Sequence, residues 1–170
     1  MTPLRLFPGD DMGPVHALLT AAFAYMEGRI DPPSSLSRMT PDTLSEEAAR
    51  KELWVIPDPA APHASPTPQA CVILTPQPDH LYFGKLAVAE QARGKGLARQ
   101  LIELAETRAR TLGLPRLRLQ TRVELVENHA TFTRMGFVQT GLTAHEGYDR
   151  PTSLTFDRMV PDQGGISSGA

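Results

Sequence analysis

The stretch that most constrains the fold of this chain runs from residue 81 to residue 112. It begins with an apolar and aromatic run, Leu81–Val88, whose length and composition predict a buried strand. A turn with two glycines and two cations follows over residues 89–96. Beyond the turn, leucines and alanines recur at three- and four-residue steps over Leu97–Leu112, which predicts an amphipathic helix. The order of strand, glycine-rich turn and helix is one that builds an anion-binding site.

The turn has the chemistry of a phosphate-binding loop. The first N–H groups of a helix have no partners within the helix, and the helix dipole favours negative charge at that end. Gly94 and Gly96 let the backbone approach a phosphate closely and adopt a positive φ, while Arg93 and Lys95 add positive charge. Alternatively, these two cations lie on a solvent-exposed face and bind no ligand. We predict that the turn and the start of the helix form a phosphate cradle.

Two common phosphate-binding signatures do not fit this turn. A dinucleotide fingerprint requires a third glycine where Arg99 stands, and an acidic residue at the end of the next strand, which here ends in Gln120 and Thr121. A P-loop requires a glycine where Ala89 stands and a Ser or Thr after its lysine, where Gly96 stands. These mismatches argue against a phosphoryl-transfer or nucleotide enzyme.

The turn does resemble the acetyl-coenzyme A signature of the GCN5-related N-acetyltransferase (GNAT) superfamily. That signature reads Gln/Arg-x-x-Gly-x-Gly/Ala, and Gln91, Gly94 and Gly96 match it. Further along the chain, residues 128–137 resemble the second element of the family, a short helix followed by a Gly-Phe strand start. The two elements occur in the order and with the spacing that the family shows.

The resemblance implies the GNAT fold, an α/β (α+β) architecture. In this fold a mixed, mostly antiparallel and twisted sheet of six to seven strands has helices on both faces and parallel pairing at its centre. We expect a single domain over residues 1–160, because no repeat or linker divides the chain. Residues 161–170 lack an apolar anchor, which predicts a disordered tail. A segment rich in Pro and Ala, residues 57–69, is predicted to be a long hairpin loop.

The resemblance also implies how acetyl-coenzyme A would bind as the co-substrate. Its pyrophosphate would lie on the N–H groups of the cradle, and its pantetheine arm would pair with the backbone of the central strand. The amide of Asn128 would hold that arm, or it would instead cap the short helix. The predicted cofactor-binding residues are Leu86, Ala87, Val88, Gln91, Arg93, Gly94, Lys95, Gly96, Leu97, Ala98, Asn128 and Phe132.

The implied reaction is direct transfer of an acetyl group from the thioester to a primary amine of a small molecule, peptide or protein. Because an ammonium is not a nucleophile, the site must help to remove a proton. The developing oxyanion requires an N–H group, which the family supplies from the backbone near Val88. The family usually protonates the departing thiolate with a tyrosine, but Phe132 occupies that position here. This departure keeps a second hypothesis open, a non-catalytic acyl-coenzyme A binding or sensing protein of the same fold.

Three side chains are candidates for proton transfer. Tyr148 lies in a polar loop that could fold over the site, with a surface position as the alternative. Lys85 lies on the central strand, where period-two alternation places it with Phe83 and Ala87, facing either the acceptor cleft or solvent. His129 follows the parallel strand, where it would act as a base or have a structural role as a cap or surface residue.

Charge and composition limit the remaining function classes. The formal net charge of −2 argues against a nucleic-acid partner, and no run approaches roughly 18 apolar residues, the length of a membrane span. Residues 1–5 are not followed by the apolar segment of a signal peptide, so we expect a cytoplasmic protein. The single cysteine, Cys71, has apolar neighbours, which favours a buried strand position over a catalytic thiol.

Metal, acceptor and assembly are less constrained by the sequence. No His/Cys cluster has the spacing of a metal site, so we expect no metal. Many members of the resembled family are dimers, which leaves a homodimer as a prediction without an interface signal. Residues 28–39 and 143–151 are expected to form the acceptor pocket, but their sequences do not identify the amine.

Overall fold

The computed structural model describes residues 2–60 and 68–161. Its strands are β1 (Leu4–Leu6), β2 (Glu52–Pro57), β3 (Pro68–Pro76), β4 (Leu81–Val88), β5 (Arg116–Arg122), β6 (Val138–Thr143) and β7 (Ser153–Met159). Its α-helices are α1 (Gly13–Ala22), α2 (Pro41–Arg50), α3 (Leu97–Leu112) and α4 (Val126–Arg134). The predicted hairpin loop is shorter than expected, because β3 already begins at Pro68, and its central residues 61–67 lie outside the described residues. The predicted tail from residue 162 onward also lies outside them.

The seven strands form one mixed sheet in the order β1-β2-β3-β4-β5-β7-β6. Neighbouring strands pair antiparallel except β4 and β5, which are parallel. α3 connects these two parallel strands, as a parallel pair requires a long crossover. The mixed, mostly antiparallel sheet with parallel pairing at its centre is therefore confirmed.

Two apolar clusters hold helices against opposite faces of the sheet. α3 buries Leu101 and Ala105 in one cluster. α1 and α2 bury Leu19 and Leu44 in the other, where Cys71 of β3 also lies. Because successive side chains of a strand point to opposite faces, the central strands contribute to both clusters. The prediction of helices on both faces of the sheet is confirmed.

A β-bulge interrupts the central strand β4. Gly84 pairs with Ile73 and Ala87 with Cys71, so β4 advances three residues while β3 advances two. Lys85 lies within the bulge with a φ of 53°, in the left-handed region that residues with side chains rarely adopt. The bulge reverses the alternation, so that Phe83 and Ala87 are buried in opposite clusters. The prediction that these residues share one face with Lys85 is therefore wrong.

The parallel strands β4 and β5 separate soon after they begin. Their ladder joins Leu81 to Leu117 and Tyr82 to Arg118, and within the described residues it extends no further. Both strands nevertheless continue for several residues beyond these pairs. The strands therefore enclose a gap that opens toward the glycine-rich turn at the end of β4.

Candidate active site

The turn after β4 presents backbone N–H groups to open space. α3 begins at Leu97 after Gly96, and no side chain caps it. Within the described part of the chain, the N–H groups of residues 94–99 have no backbone acceptor. Gly94 and Gly96 have φ values of 80° and 78°, and a Cβ at either position would meet nothing within 4 Å. Free donors facing open space at a helix N-terminus fit an anionic ligand.

The side chains of this turn separate into an anchored set and an exposed set. Ala92 and Leu97 are buried in the cluster beneath α3 and fix the turn to the core. Gln91, Arg93 and Lys95 are exposed. The positive charge predicted for the cradle is thus on the solvent side, where it would reach a phosphate without displacing any core contact.

A cleft of about 1180 Å³ runs from the cradle into the gap between β4 and β5. Typical small-molecule pockets measure roughly 300–1,000 Å³, so the cleft has room for a large cofactor and a second substrate. Residues 84–88 and 119–122 form walls on the two strands, and Arg93 and Ala98 line the end near the cradle. The predicted residues Leu86, Ala87 and Val88 therefore all line the cleft.

The end of β4 turns unpaired backbone groups into this cleft. The N–H of Ala89 donates to the Gln69 carbonyl at 2.7 Å, on the β3 side of the strand. Because backbone groups of successive strand residues point in opposite directions, the N–H and C=O of Val88 point toward β5. The β4–β5 ladder has ended well before this residue. Val88 therefore offers one donor and one acceptor to an extended ligand.

α4 brings Phe132 and Asn128 to the same cleft. Phe132 packs edge-on against Phe137, with ring centroids 5.8 Å apart. Asn128 is the third residue of α4, and Leu125 is the N-cap, so a capping role for Asn128 is wrong. Its Nδ2 instead donates to the hydroxyl of Tyr25 at 3.0 Å. The amide thus lies inside the cleft one helical turn before the phenylalanine.

Tyr25 is a site residue that the sequence did not reveal. It lies in a short 3-10 turn, Ala24–Met26, that follows α1, and it lines the cleft. Because its hydroxyl oxygen accepts the amide hydrogen of Asn128, its own proton is available to another group. The two residues are 103 positions apart in the chain, and no local motif connects them.

Two of the three candidates for proton transfer, Tyr148 and His129, lie outside the cleft lining, and each is hydrogen-bonded to another residue. The Tyr148 hydroxyl donates to Asp31 at 2.6 Å, and this bond raises the pKa of Tyr148. His129 donates through Nε2 to the Arg122 carbonyl at 2.8 Å, because a carbonyl oxygen only accepts. Neither side chain lines the cleft. The hydrogen bonds to Asp31 and to Arg122 hold these two side chains outside the cleft lining.

Lys85, the third candidate, does line the cleft. Its Nζ donates to Ser35 Oγ at 3.0 Å. Burial lowers the pKa of Lys85; Glu47 opposes this effect, while the like charges of Lys51 and Arg122 lower the pKa further. The side chain is thus a half-buried cation whose hydrogen-bond partner is a neutral hydroxyl.

Cys71 is part of the core. Its side chain is fully buried and its Sγ donates to the Lys85 carbonyl at 3.7 Å. Burial raises the pKa of Cys71 to about 12, so the reactive thiolate is absent at neutral pH.

Residues 2–60 and 68–161 contain neither a candidate metal site nor a candidate membrane-spanning helix. In these ranges no group of three or more His, Cys, Asp or Glu residues is placed to hold a metal ion. Of the four described α-helices, none has the length and apolar character needed to cross a membrane.

Comparisons with known proteins agree with this geometry. A family model described as "Acetyltransferase (GNAT) family" matches residues 17–137. A solved GNAT family acetyltransferase from Elizabethkingia anophelis with acetyl-CoA bound is similar, with a TM-score of 0.61, 16% identity, and coverage of 93% of this chain and 97% of the other. The ribosomal-protein-S18-alanine N-acetyltransferase of Escherichia coli gives a TM-score of 0.63, 16% identity and 96% coverage of both chains. The protein smu.2055 of Streptococcus mutans gives a TM-score of 0.70 and 16% identity, with coverage of 95% of this chain and 100% of the other. No curated protein matches the chain in sequence.

Proposed function

The chain belongs to the GNAT family of acetyltransferases, and from this premise we propose that it transfers the acetyl group of acetyl-coenzyme A to a primary amine. One observation carries the proposal: a single cleft joins the free N–H groups of the cradle to the unpaired backbone at the end of β4. The first of these features suits a pyrophosphate and the second suits the amide groups of a pantetheine arm. Location in the cytoplasm and assembly as a homodimer stay predictions.

The chain's own residues suggest how the co-substrate would be held. The pyrophosphate would lie on the N–H groups of residues 94–99, with the charges of Arg93 and Lys95 beside it. The arm would pair with Val88, and the Asn128 amide would face it from α4. When bound, acetyl-coenzyme A supplies a thioester whose carbonyl carbon is open to attack by an amine.

Transfer requires an unprotonated amine, a stabilised carbonyl oxygen and a protonated leaving thiolate. The acceptor ammonium would lose its proton to water in the open cleft, so that the nitrogen lone pair can attack. The N–H of Val88 would stabilise the negative charge that develops on the carbonyl oxygen. As the carbon–nitrogen bond forms, the carbon–sulfur bond breaks, and the nitrogen gives up its second proton to solvent.

We assign the proton for the thiolate to Tyr25. Phe132 has no proton to give, whereas the Tyr25 hydroxyl lines the same cleft and is bonded to Asn128, one helical turn from Phe132. The amide donates to the tyrosine oxygen, which leaves the hydroxyl proton free and would stabilise the tyrosinate that remains. Solvent would then return the proton to Tyr25.

The second candidate function is an acyl-coenzyme A binding or sensing protein without turnover, and Phe132 is the observation that favours it. Both functions require the cradle, so binding of coenzyme A does not separate them. Release of free thiol from acetyl-coenzyme A in the presence of a panel of primary amines does. Thiol release that depends on an amine supports the transferase, and its absence with every amine supports the binding protein.

The cradle is tested by thermal unfolding with coenzyme A, dephospho-coenzyme A and ATP. A ligand present at a hundred times its dissociation constant raises the free energy of unfolding by about 2.7 kcal/mol. For a domain of this size, that increase raises Tm by roughly 5–10 °C. Gly94→Asp should abolish the shift with coenzyme A, because a carboxylate would face the phosphates.

Gly113→Asp is the matched control for this substitution. Gly113 ends the same helix with a φ of 72°, and it also has open space around its Cβ position. The control therefore introduces the same backbone strain and the same charge far from the cradle, and it should keep the coenzyme A shift. A Tm shift with ATP as large as that with coenzyme A would overturn the proposal. A coenzyme A shift that survives Gly94→Asp would also overturn it.

A further inference from the structure

We propose that the acceptor is an anionic amine, a small molecule whose carboxylate binds beside Lys85 while its amine reaches the thioester. This inference rests on the proposed function and names the substrate class of the same site. It concerns one part of the cleft lining, here called the acceptor wall, which consists of Ser34, Ser35, Leu36, Arg38, Met39, Thr43, Glu47, Lys51, Lys85 and Arg122.

The acceptor wall carries more positive than negative charge. Of its acids, Glu47 is already paired with Lys51, at 2.6 Å. Lys85 has a hydroxyl as its hydrogen-bond partner, and in the described residues no carboxylate lies within ion-pair distance of its Nζ. Arg38 also lines the wall, and no ion pair holds it within the same residues.

Arg122 adds a second half-buried cation to this wall. Its guanidinium donates to the carbonyls of Pro32 at 2.7 Å and Pro33 at 3.3 Å. No acid forms an ion pair with it in the described residues, although the charges of Glu124 and Asp31 act on it from a distance. Glu124 accepts the N–H of Asp31 at 3.0 Å, and the Asp31 carboxylate binds Tyr148 and Arg150. The guanidinium is therefore bonded to neutral oxygens, as Lys85 is.

Cations removed from water without a counter-ion are unfavourable, and an incoming anion relieves that cost. Glu47 and Glu124 offset only part of the positive charge of Lys85, Lys51, Arg122 and Arg38. A neutral ligand would leave the remaining positive charge without a partner. A cationic ligand with no anion would be repelled by Lys85, Arg122 and Arg38. Among amines, one with its own carboxylate fits this wall best.

The position of Lys85 sets the size of such a molecule. Lys85 precedes Val88 by three residues on β4, and because the bulge shortens the strand here, their separation is below the roughly 10 Å of a regular strand. The lysine side chain extends from this strand to the Ser35 hydroxyl. An amine and a carboxylate on one small carbon skeleton, as in an amino acid, would span a distance of this order. A peptide without an acidic residue near its amino terminus would present no carboxylate there.

The test compares pairs of amines with and without an anionic group. Amino acids and their carboxamides, for example leucine with leucinamide and phenylalanine with phenylalaninamide, are supplied with acetyl-coenzyme A, and kcat/KM is measured from thiol release. Phosphoethanolamine and ethanolamine form a third pair, which distinguishes a phosphate from a carboxylate as the preferred anion. Because the amine of the carboxamide is less basic, more of it is unprotonated, and the comparison is biased against the proposal.

We expect the acids to be preferred by about 10- to 100-fold, the range of a hydrogen bond between charged groups. Lys85→Met, which keeps most of the side-chain volume, should remove most of this preference by raising KM for the acids. Lys85→Arg should restore part of it. Arg50→Met removes an exposed cation at the end of α2, outside the cleft lining, and should leave the preference unchanged.

Binding provides a readout that does not need turnover. Calorimetric titration of the coenzyme A complex with each acid and its carboxamide should show the same preference. If neither turnover nor binding prefers the acids, or if Lys85→Met keeps the preference, the inference is overturned. Acetylation of neutral amines at equal efficiency would overturn it while leaving the transferase intact, and loss of coenzyme A binding would instead remove the proposed function itself.

Discussion

Lys85 has a backbone conformation that is unfavourable for a residue with a Cβ, and the pairing on the β3 side holds it there. Its φ of 53° lies in the left-handed region, where such a residue costs roughly 1–2 kcal/mol. The same bulge directs the lysine into the cleft, where it bonds Ser35. Strain of this kind persists where the surrounding structure requires it, which connects the conformation of Lys85 with its proposed role at the acceptor.

Replacing Lys85 with glycine should therefore stabilise the protein relative to alanine. Both substitutions remove the charged side chain, but only glycine removes the Cβ that makes the positive φ unfavourable. We expect Lys85→Gly to unfold about 2–4 °C higher than Lys85→Ala, which corresponds to about 1 kcal/mol for a domain of this size. Thermal unfolding of the two variants checks this, and equal melting temperatures would mean that the bulge relaxes around alanine.

If Tyr25 is the proton donor, replacing Tyr25 and replacing Tyr148 should have different effects on kcat. Tyr25→Phe should lower kcat by about 100-fold, near the lower end of the range for general acid catalysis, while KM for acetyl-coenzyme A stays nearly constant. Tyr148→Phe removes an exposed bond to Asp31 and should change kcat much less. Steady-state kinetics on both variants separate the two roles.

A second substitution makes the test of Tyr25 independent of any structural damage. Phe132→Tyr, placed in the Tyr25→Phe background, returns a hydroxyl to the position where the family usually has its tyrosine. If Tyr25 supplies the proton, this hydroxyl should recover part of the lost kcat. A larger loss for Tyr148→Phe than for Tyr25→Phe would assign the role to Tyr148 instead.

At the scale of elements, the sequence predicted those parts of the fold that depend on local pattern. The apolar composition and length of Leu81–Val88 and the periodicity of Leu97–Leu112 predicted β4 and α3 with the bounds that the structure has. The glycines at 94 and 96 predicted the positive φ values of the turn. These features follow from short-range sterics and from which face of an element is apolar.

The parts that the sequence missed depend on contacts between distant residues. The bulge in β4 is defined by its register with β3, and its one local signal is the isolated glycine at position 84. The segment between α1 and α2 closes one side of the cleft through bonds from Asp31 to Tyr148 and from Tyr25 to Asn128, across 117 and 103 positions. A polar loop of this kind looks like ordinary surface until its partners are known.

At the scale of the whole molecule, buried carboxylates paired with arginines connect the layers. Glu52 of β2 accepts two bonds from Arg108 of α3, at 2.7 and 3.0 Å, and so ties the sheet to the helix. Asp157 of β7 accepts bonds from Arg118 of β5, at 2.8 and 3.0 Å, across directly paired positions. Breaking such a pair leaves a charge without its partner, so these contacts should matter more than exposed ion pairs.

These pairs predict a specific loss of stability in acid. The bond from Arg118 holds the pKa of Asp157 below its usual value, and for Glu52 the bonds from Arg108 and Trp54 outweigh the opposing effect of burial and also lower the pKa. A carboxylate whose pKa is lower in the folded state stabilises the fold above its unfolded pKa, near 4. That contribution is lost as the pH falls through the lower, folded pKa.

Asp157→Asn should therefore reduce the free energy of unfolding at pH 7 by about 2 kcal/mol, and the difference from wild type should shrink as the pH falls below 4. Urea unfolding at a series of pH values measures both effects. Asp149→Asn, in an exposed loop, is the control and should stay within about 0.5 kcal/mol of wild type throughout. A difference for Asp157→Asn that is independent of pH would show that the ionisation of Asp157 is not coupled to folding, and that the loss of stability comes from packing around the side chain rather than from its charge.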